Sequence, residues 1–300
     1  MSDKQVTKNQ HFVPQEYLRG FSEDGITIYE YNLKKGEAIK TPVPIESICR
    51  EKYLYEIHDK NGEIIRTNFI ENTLRNFEGQ FAEQRRQLLR KARNRDNYKT
   101  KCFLSTEEKQ FWVFFAALHI MRNPVTLNGI KEIIQEEMPE PPTDTEAKNL
   151  AIAYCLPFFK KAEEGDQNAL IVFISILLTK VITVGYAESG HFFTSDHAMY
   201  GHRNAVDEPI KFGTLWFPVC SDCAIVFSDS AGVDRSKRNR LIPLKKEELD
   251  GINQGIAYIA DQMVLSQYPF SKADLNLIEK ARKDRAEDKM QERLSENQQK

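Results

Sequence analysis

The strongest constraint on the fold lies between Asn68 and Arg93, where Ile70, Leu74, Phe77, Phe81 and Leu88 recur at helical spacing. A helix with a single apolar stripe must lay that stripe against other elements, so the chain has to supply partners for it. Ser105-Thr106-Glu107-Glu108 reads as a capping box that opens a second helix, which ends at Arg122-Asn123-Pro124. A third helix is expected over about Leu127–Met138. Pro139-Glu140-Pro141-Pro142-Thr143-Asp144 then breaks the chain. Helical character resumes near Glu146 and culminates in Asn168–Thr183, and a further helix is expected from Lys245 to about Gln267.

Short β-rich stretches flank this helical middle. Ile26–Tyr31 alternates, Lys34-Lys35-Gly36 supplies a turn, and a second strand is expected around Ala38–Val43. Tyr53–Ile57 and Glu63–Arg66 flank an Asn61-Gly62 hairpin signal. A second β region is expected over Val184–Ala187, His191–Thr194, Ile210–Pro218 and Cys223–Ser228. The expected class is therefore α+β and helix-dominated, a central helical bundle with small antiparallel β elements near both ends. Residues 1–10 read as a polar tail and 11–270 as one domain, made of 11–138, a break at 139–144, and 145–270. Residues 271–300 read as a charged helical tail. There is no internal repeat, no GxGxxG and no P-loop signature.

Of the 300 residues, 41% are hydrophobic and 29% charged, enough to build a core without a disulfide or metal. The five cysteines, an odd number, predict free thiols in a reducing, cytoplasmic setting, and the polar opening MSDKQVTKNQ lacks a signal peptide's apolar core. Ala169–Leu178 is the longest apolar run and falls far short of the roughly 20 residues that span a bilayer, so no membrane association is expected. A net charge of −2 announces no nucleic-acid partner globally. The local charge is another matter. Arg85, Arg86, Arg90, Lys91, Arg93, Arg95, Lys99 and Lys101 form one basic run, and Arg235-Ser236-Lys237-Arg238-Asn239-Arg240 forms a second. Either is suited to nucleic-acid phosphates or to a solvated face.

The segment His11-Phe12-Val13-Pro14-Gln15-Glu16-Tyr17-Leu18-Arg19-Gly20-Phe21 interleaves His, Gln, Tyr and Arg with apolar anchors. A helix starting at Pro14 would place Gln15, Leu18 and Arg19 on one face, with His11 at its entry. The segment resembles the HxVPxxYLxxF opening of a bacterial family of unknown function, the DUF4238-type family. The same family carries a phenylalanine-led TSD motif, matched by Phe192-Phe193-Thr194-Ser195-Asp196, and an Arg-x-Pro matched by Arg122-Asn123-Pro124. The likeness runs from about His11 to Gln262 and departs at Ala198, where the family usually has proline. It implies one folded unit and a bacterial defence or toxin setting, and brings no established reaction with it.

Further residues stand out by position. Glu78 lies on the apolar stripe of its helix with Glu71 nearby, and Arg122 follows Phe115 and Leu118 on another apolar face. Charges so placed either pair with each other or belong to a site. His191, Asp196, His197, His202 and Arg203 crowd the stretch 190–203, and Cys220-Ser221-Asp222-Cys223 is a lone CxxC read as a strand turn with two free thiols.

Two classes of function follow. In the first, the chain cleaves phosphodiesters, RNA before DNA. His11 acts as general base or metal ligand, Asp196 as metal ligand or orienting carboxylate, Arg122 or Arg19 as phosphate-holding cations, and Glu78 as a second carboxylate. Gln15, Arg19, Ser195, Arg238 and Arg240 would contact substrate, and His11, Asp196 and His191 would hold a divalent metal such as Mg²⁺ or Mn²⁺. Hydrolysis of a small nucleotide would instead need a closed pocket. In the second class, the chain is a non-catalytic regulator that binds nucleic acid, a small anion or a protein partner docked on the C-terminal helix. That class predicts His11 and Asp196 satisfied by structural hydrogen bonds.

Overall fold

The structure is a computed structural model that describes residues 7–65, 67–158, 168–203, 212–229 and 238–298. Its elements run β1 (Asn9–His11), α1 (Gln15–Leu18), β2 (Thr27–Asn32), β3 (Glu37–Ala38), β4 (Val43–Pro44) and β5 (Arg50–Lys52). The helices α2 (Phe69–Arg93), α3 (Thr106–Met121), α4 (Pro124–Glu137), α5 (Asp144–Cys155) and α6 (Ala169–Leu178) follow. Then come β6 (Val181–Ala187), β7 (Thr194–Ser195), β8 (Tyr200–Arg203), β9 (Phe212–Pro218), β10 (Cys223–Ser228) and β11 (Leu241–Leu244). The chain ends with α7 (Lys246–Ile259), β12 (Met263–Ser266) and α8 (Lys272–Gln298). The class is α+β, with more helix than strand.

The chain divides into two compact units. The first takes residues 1–17, 47–87 and 104–180, and the second takes 18–46, 88–103 and 181–300. The HxVPxxYLxxF segment and α2 each contribute to both.

The first unit is helical. The Ser105/Glu108 capping box opens α3 as expected, and a second box at Thr143/Glu146 opens α5. Asn123 caps α4 with Pro124 in its first turn. The core is aromatic: Phe81 of α2 stacks on Phe115 of α3 at 4.3 Å and meets Trp112 edge-on at 5.7 Å. Both Phe81 and Trp112 are fully buried. Among the described residues the β pairing between named strands here is β1 with β5, antiparallel, with Gln10 opposite Glu51. The hairpin expected around Asn61-Gly62 is reduced to one bridge, His58 with Ile64, and Gly62 supplies the turn's positive φ of 82°. Arg66 lies outside the described residues.

The second unit carries two five-stranded sheets. One has the order β11-β6-β10-β9-β8; the other runs β3-β2-β12-β7, with β4 also on β2. Strands from near both ends of the chain thus share a sheet, β2 pairing with β12 in register Tyr31 to Val264. The sheets are also not purely antiparallel, because β11 runs parallel to β6. Two helices are shorter than their periodicity predicts. The run from Asn168 ends at Leu178, because Val181-Ile182-Thr183-Val184 is a β-branched series that goes into β6. The helix from Lys245 ends at Ile259, because Met263–Ser266 fills the slot between β2 and β7. No strand forms at His191–Phe193. Helix α7 crosses close to β8, where a Cβ on Gly255 would overlap the Tyr200 ring. The charged tail is the helix α8, anchored by buried Ile278 and Ala281, with Met290 and Leu294 exposed. Among the described residues no helix is long and apolar enough to cross a membrane.

Candidate functional site

In the first unit the sequence motifs converge on one buried cation. Arg122 caps the C-terminus of α3 and is 1% exposed. Its guanidinium donates through Nη1 to Glu78 Oε1 of α2 at 2.9 Å and through Nη2 to the carbonyl of His11 at 2.5 Å. Tyr55 donates its hydroxyl to the Arg122 carbonyl at 2.8 Å. The expected Glu78–Arg122 pair therefore forms, and it also holds the backbone of the N-terminal motif. Burial works against the Arg122 charge, but Tyr55 and Glu78 outweigh it and raise its pKa. Burial pushes the Tyr55 hydroxyl up, and likewise Glu71, against the opposing pull of Arg122. A guanidinium committed to a carboxylate and a carbonyl has little left to offer a phosphate.

Around this cation the motif is tied down residue by residue. Gln10 is fully buried; its amide donates to Glu56 Oε1 at 2.7 Å and accepts from the Tyr55 N–H at 2.7 Å. Glu56 also accepts from the backbone of Asn68, just ahead of α2. Arg85 donates to the carbonyls of Glu16 and Tyr17, and the Tyr17 ring lies 4.7 Å from His119 and 5.9 Å from Phe81. His119 is driven down to about 3 by burial and by Arg122, so it stays neutral. His11 itself is half-buried, with the Gln15 amide 3.5 Å from its ring nitrogens.

The TSD motif lies in the second unit. Thr194 and Ser195 pair with Leu265 and Val264 of β12. Asp196 accepts the backbone N–H groups of Asp261 at 3.1 Å and Gln262 at 2.7 Å, closing the α7–β12 connection. Burial raises its pKa, opposed by His197 and those N–H groups. Ser195 Oγ takes the N–H of His197 and donates to its carbonyl, a local turn. Asp261 bonds His197 at 3.1 Å and Arg285 at 2.6 Å, and the His197 bond holds it well below the usual carboxylate range. His191 Nε2 is 2.9 Å from Ser266 Oγ, and burial lowers its pKa. Asn253 of α7 completes the clasp, accepting from Phe193 N–H and donating to the His191 carbonyl.

The sequence-derived residues divide between the two units. His11, Gln15, Glu78 and Arg122 belong to the first unit; Arg19, His191, Ser195, Asp196, Arg238 and Arg240 belong to the second. Arg19 is exposed and donates to the Gly25 carbonyl at 3.2 Å. Among the described residues no group of three or more His, Cys, Asp or Glu side chains is placed to hold a metal ion. Gln10, Tyr55 and Glu56 in the first clasp and Asn253 in the second carried no signal in the sequence, because their partners are distant along the chain.

One arrangement differs in kind. In the second unit, the end of α2 leads through a single 3-10 turn over Arg95–Lys99, capped by Asn94. That turn packs on β11, where Arg240 Nη1 donates to the Lys99 carbonyl at 3.2 Å. Phe103 N–H reaches the Asn239 carbonyl at 2.8 Å, and Lys91 lies 4.9 Å over the Phe103 ring. The two basic runs of the sequence therefore meet. Arg90, Arg93, Lys99, Lys101 and Arg238 are exposed, and Arg93 shares Asp222 at 3.2 Å. Residues 88–103 hold six cations, Arg90, Lys91, Arg93, Arg95, Lys99 and Lys101, against one acid, Asp96. Arg235–Lys237 lie outside the described residues.

The family described as "Protein of unknown function (DUF4238)" matches residues 9–268, and the chain belongs to it. No curated protein and no solved structure matches the chain.

Proposed function

We propose that this member of the family is a nucleic-acid-binding protein whose contact surface is the basic face of its second unit. The observation that supports the reading is the meeting of two basic runs, separated by about 140 positions, through the Arg240–Lys99 bond and the Phe103–Asn239 bond. Arg90, Lys99, Lys101 and Arg238 present exposed charge there with few acids among them. Such a face engages backbone phosphates and releases counterions, so binding is sequence-tolerant and salt-dependent. RNA is the first substrate to test. The family motifs serve the fold on this reading: Arg122 and Asp196 are spent on carbonyl, carboxylate and backbone N–H partners.

The test is fluorescence anisotropy with single-stranded RNA and duplex DNA over a salt series. Binding should weaken along a straight log–log line, and Lys99→Glu with Arg238→Glu should flatten that line. A chain that binds neither polymer at low salt, or a double variant that binds like the parent, would sink the reading. Cleavage of the bound strand is the stronger form of the proposal. Incubation of labelled RNA and DNA with Mg²⁺, with Mn²⁺ and with chelator decides it: intact strands alongside tight binding leave a binding protein and remove the nuclease.

A further inference from the structure

The CxxC pair is absorbed by none of this. Cys220 and Cys223 close the β9–β10 hairpin of the second unit, both buried, while Cys102 is exposed. Ala224 pairs with Pro218, and the N–H groups of Val219 and Cys220 donate to the Cys223 carbonyl at 2.9 and 3.3 Å. Cys223 thus stands opposite Val219, and Cys220 is the next residue, at the start of the turn that leads back to Cys223. Sulfurs in contact within one turn are within reach of a disulfide. The two sulfurs are hydrogen-bonded to each other, and Cys220 Sγ also accepts the backbone N–H groups of Asp222 and Cys223.

The turn is held in this shape from outside. Ser221 N–H donates to the Gly20 carbonyl at 3.0 Å, and the Ser221 carbonyl accepts from Phe192 at 2.8 Å. The Asp222 carbonyl accepts from Ala187 at 2.9 Å. Burial pushes the Cys220 thiol up, but the bonds from Cys223 and the backbone outweigh it and leave it below its ordinary value. Cys223 is held well above its own, mainly by its bond to Cys220. One sulfur is prepared as nucleophile and the other keeps the proton. The pair sits at the tip of a hairpin, both thiols buried, beside an Asp222 side chain that is 33% exposed.

We infer that Cys220 and Cys223 are a reversible oxidation site, converted by small hydroperoxides into an intramolecular disulfide. The Cys220 thiolate attacks one peroxide oxygen; the O–O bond breaks and the other oxygen leaves as alcohol or water, giving a sulfenic acid. The Cys223 sulfur then attacks that sulfur, the S–S bond forms, the S–O bond breaks, and water leaves with the Cys223 proton. Two thiols and one hydroperoxide yield one disulfide, one alcohol and one water. The product is neutral and apolar, which suits a buried place better than a thiolate would. Asp222 also pairs with Arg93, so the turn is joined to the basic face. A change in nucleic-acid affinity on oxidation rests on the preceding reading; the disulfide does not.

The experiment uses the full chain carrying Cys102→Ser, treated with hydrogen peroxide, denatured, alkylated and mapped by mass spectrometry. The peptide holding Cys220 and Cys223 should escape alkylation and be lighter by two hydrogens, and dithiothreitol should restore two alkylated thiols. In Cys223→Ala, dimedone should trap a sulfenic acid on Cys220. Two alkylated thiols at a peroxide dose that fully oxidises Cys102 in the parent would overturn the inference. So would a sulfinic acid on Cys220 beside an alkylated Cys223, or a metal ion retained by the pair in native mass spectra. Anisotropy with labelled RNA separates the two proposals: a disulfide without change in affinity removes the regulation alone, and no binding in either state removes the binding reading while the site stands.

Discussion

Arg122 in the first unit and Arg238 in the second carry the same charge in opposite surroundings. Arg122 is 1% exposed and its fork is closed by Glu78 and the His11 carbonyl, whereas Arg238 is exposed two residues before Arg240, which holds the Lys99 carbonyl. A buried guanidinium is tolerated only because its partners replace water, and removing it leaves those partners stranded. An exposed one is already solvated, contributes little to the fold, and keeps its donors for a ligand. The polar residues of the family motifs are mostly of the first kind, and the basic runs are of the second. Polar residues that look catalytic in a sequence can thus be the ones that hold the scaffold.

The largest effect that could break this division is on Arg122. Arg122→Met should destabilise the first unit by about 3–5 kcal/mol, because Glu78 and the His11 carbonyl lose their partner in a buried place. Urea denaturation followed by aromatic fluorescence reports it. A loss below about 1 kcal/mol would show that the cluster is not a brace and would return Arg122 to the list of site residues. Asp196→Ala is the matching change in the second unit. It strands the N–H groups of Asp261 and Gln262, at about 1–3 kcal/mol for leaving buried donors unsatisfied. An unchanged urea midpoint would break the likeness between the two clasps.

Acid should act on the brace through His119. Its pKa is depressed to about 3 by burial and Arg122, so the unfolded chain takes up the proton first, near 6.5. The stability it secures is complete above about pH 6.5 and is lost as pH falls toward 3, by up to about 1.4 kcal/mol per pH unit. His119→Phe keeps a ring beside Tyr17 and removes the titration. Its stability profile should therefore be flatter than the parent's between pH 6 and 4. Parallel profiles would mean that His119 is protonated in the folded chain and the surrounding cluster is wetter than drawn.

What the sequence made legible divides along the same physical line. The helices were readable because an apolar stripe repeats locally, and because caps such as Ser105/Glu108 lie within one turn. Strands β1, β5, β11 and β12 were not, since three or four residues carry no period and take their state from distant neighbours. Glu78 and Arg122 stood out as charges on apolar stripes. Gln10 and Glu56 did not, because a polar side chain 46 positions from its partner looks like any surface residue. The two basic runs were visible singly; their meeting depends on β11 threading beside the turn after α2, which no local pattern encodes.

The smallest effect in free energy is the sharpest test of the comparison. Lys99→Glu and Arg238→Glu lie on exposed positions and should leave the urea midpoint within about 0.5 kcal/mol of the parent. Each should lower the slope of log affinity against log salt by about one unit for nucleic acid, with little dependence on base sequence. Arg240→Gln is the informative intermediate, since Arg240 both faces this surface and holds the Lys99 carbonyl. It should lower stability slightly and affinity together, whereas the two reversals move affinity alone. If Lys99→Glu and Arg238→Glu destabilise the chain as Arg122→Met does, exposed and buried cations are doing the same job, and the basic face is scaffold as well.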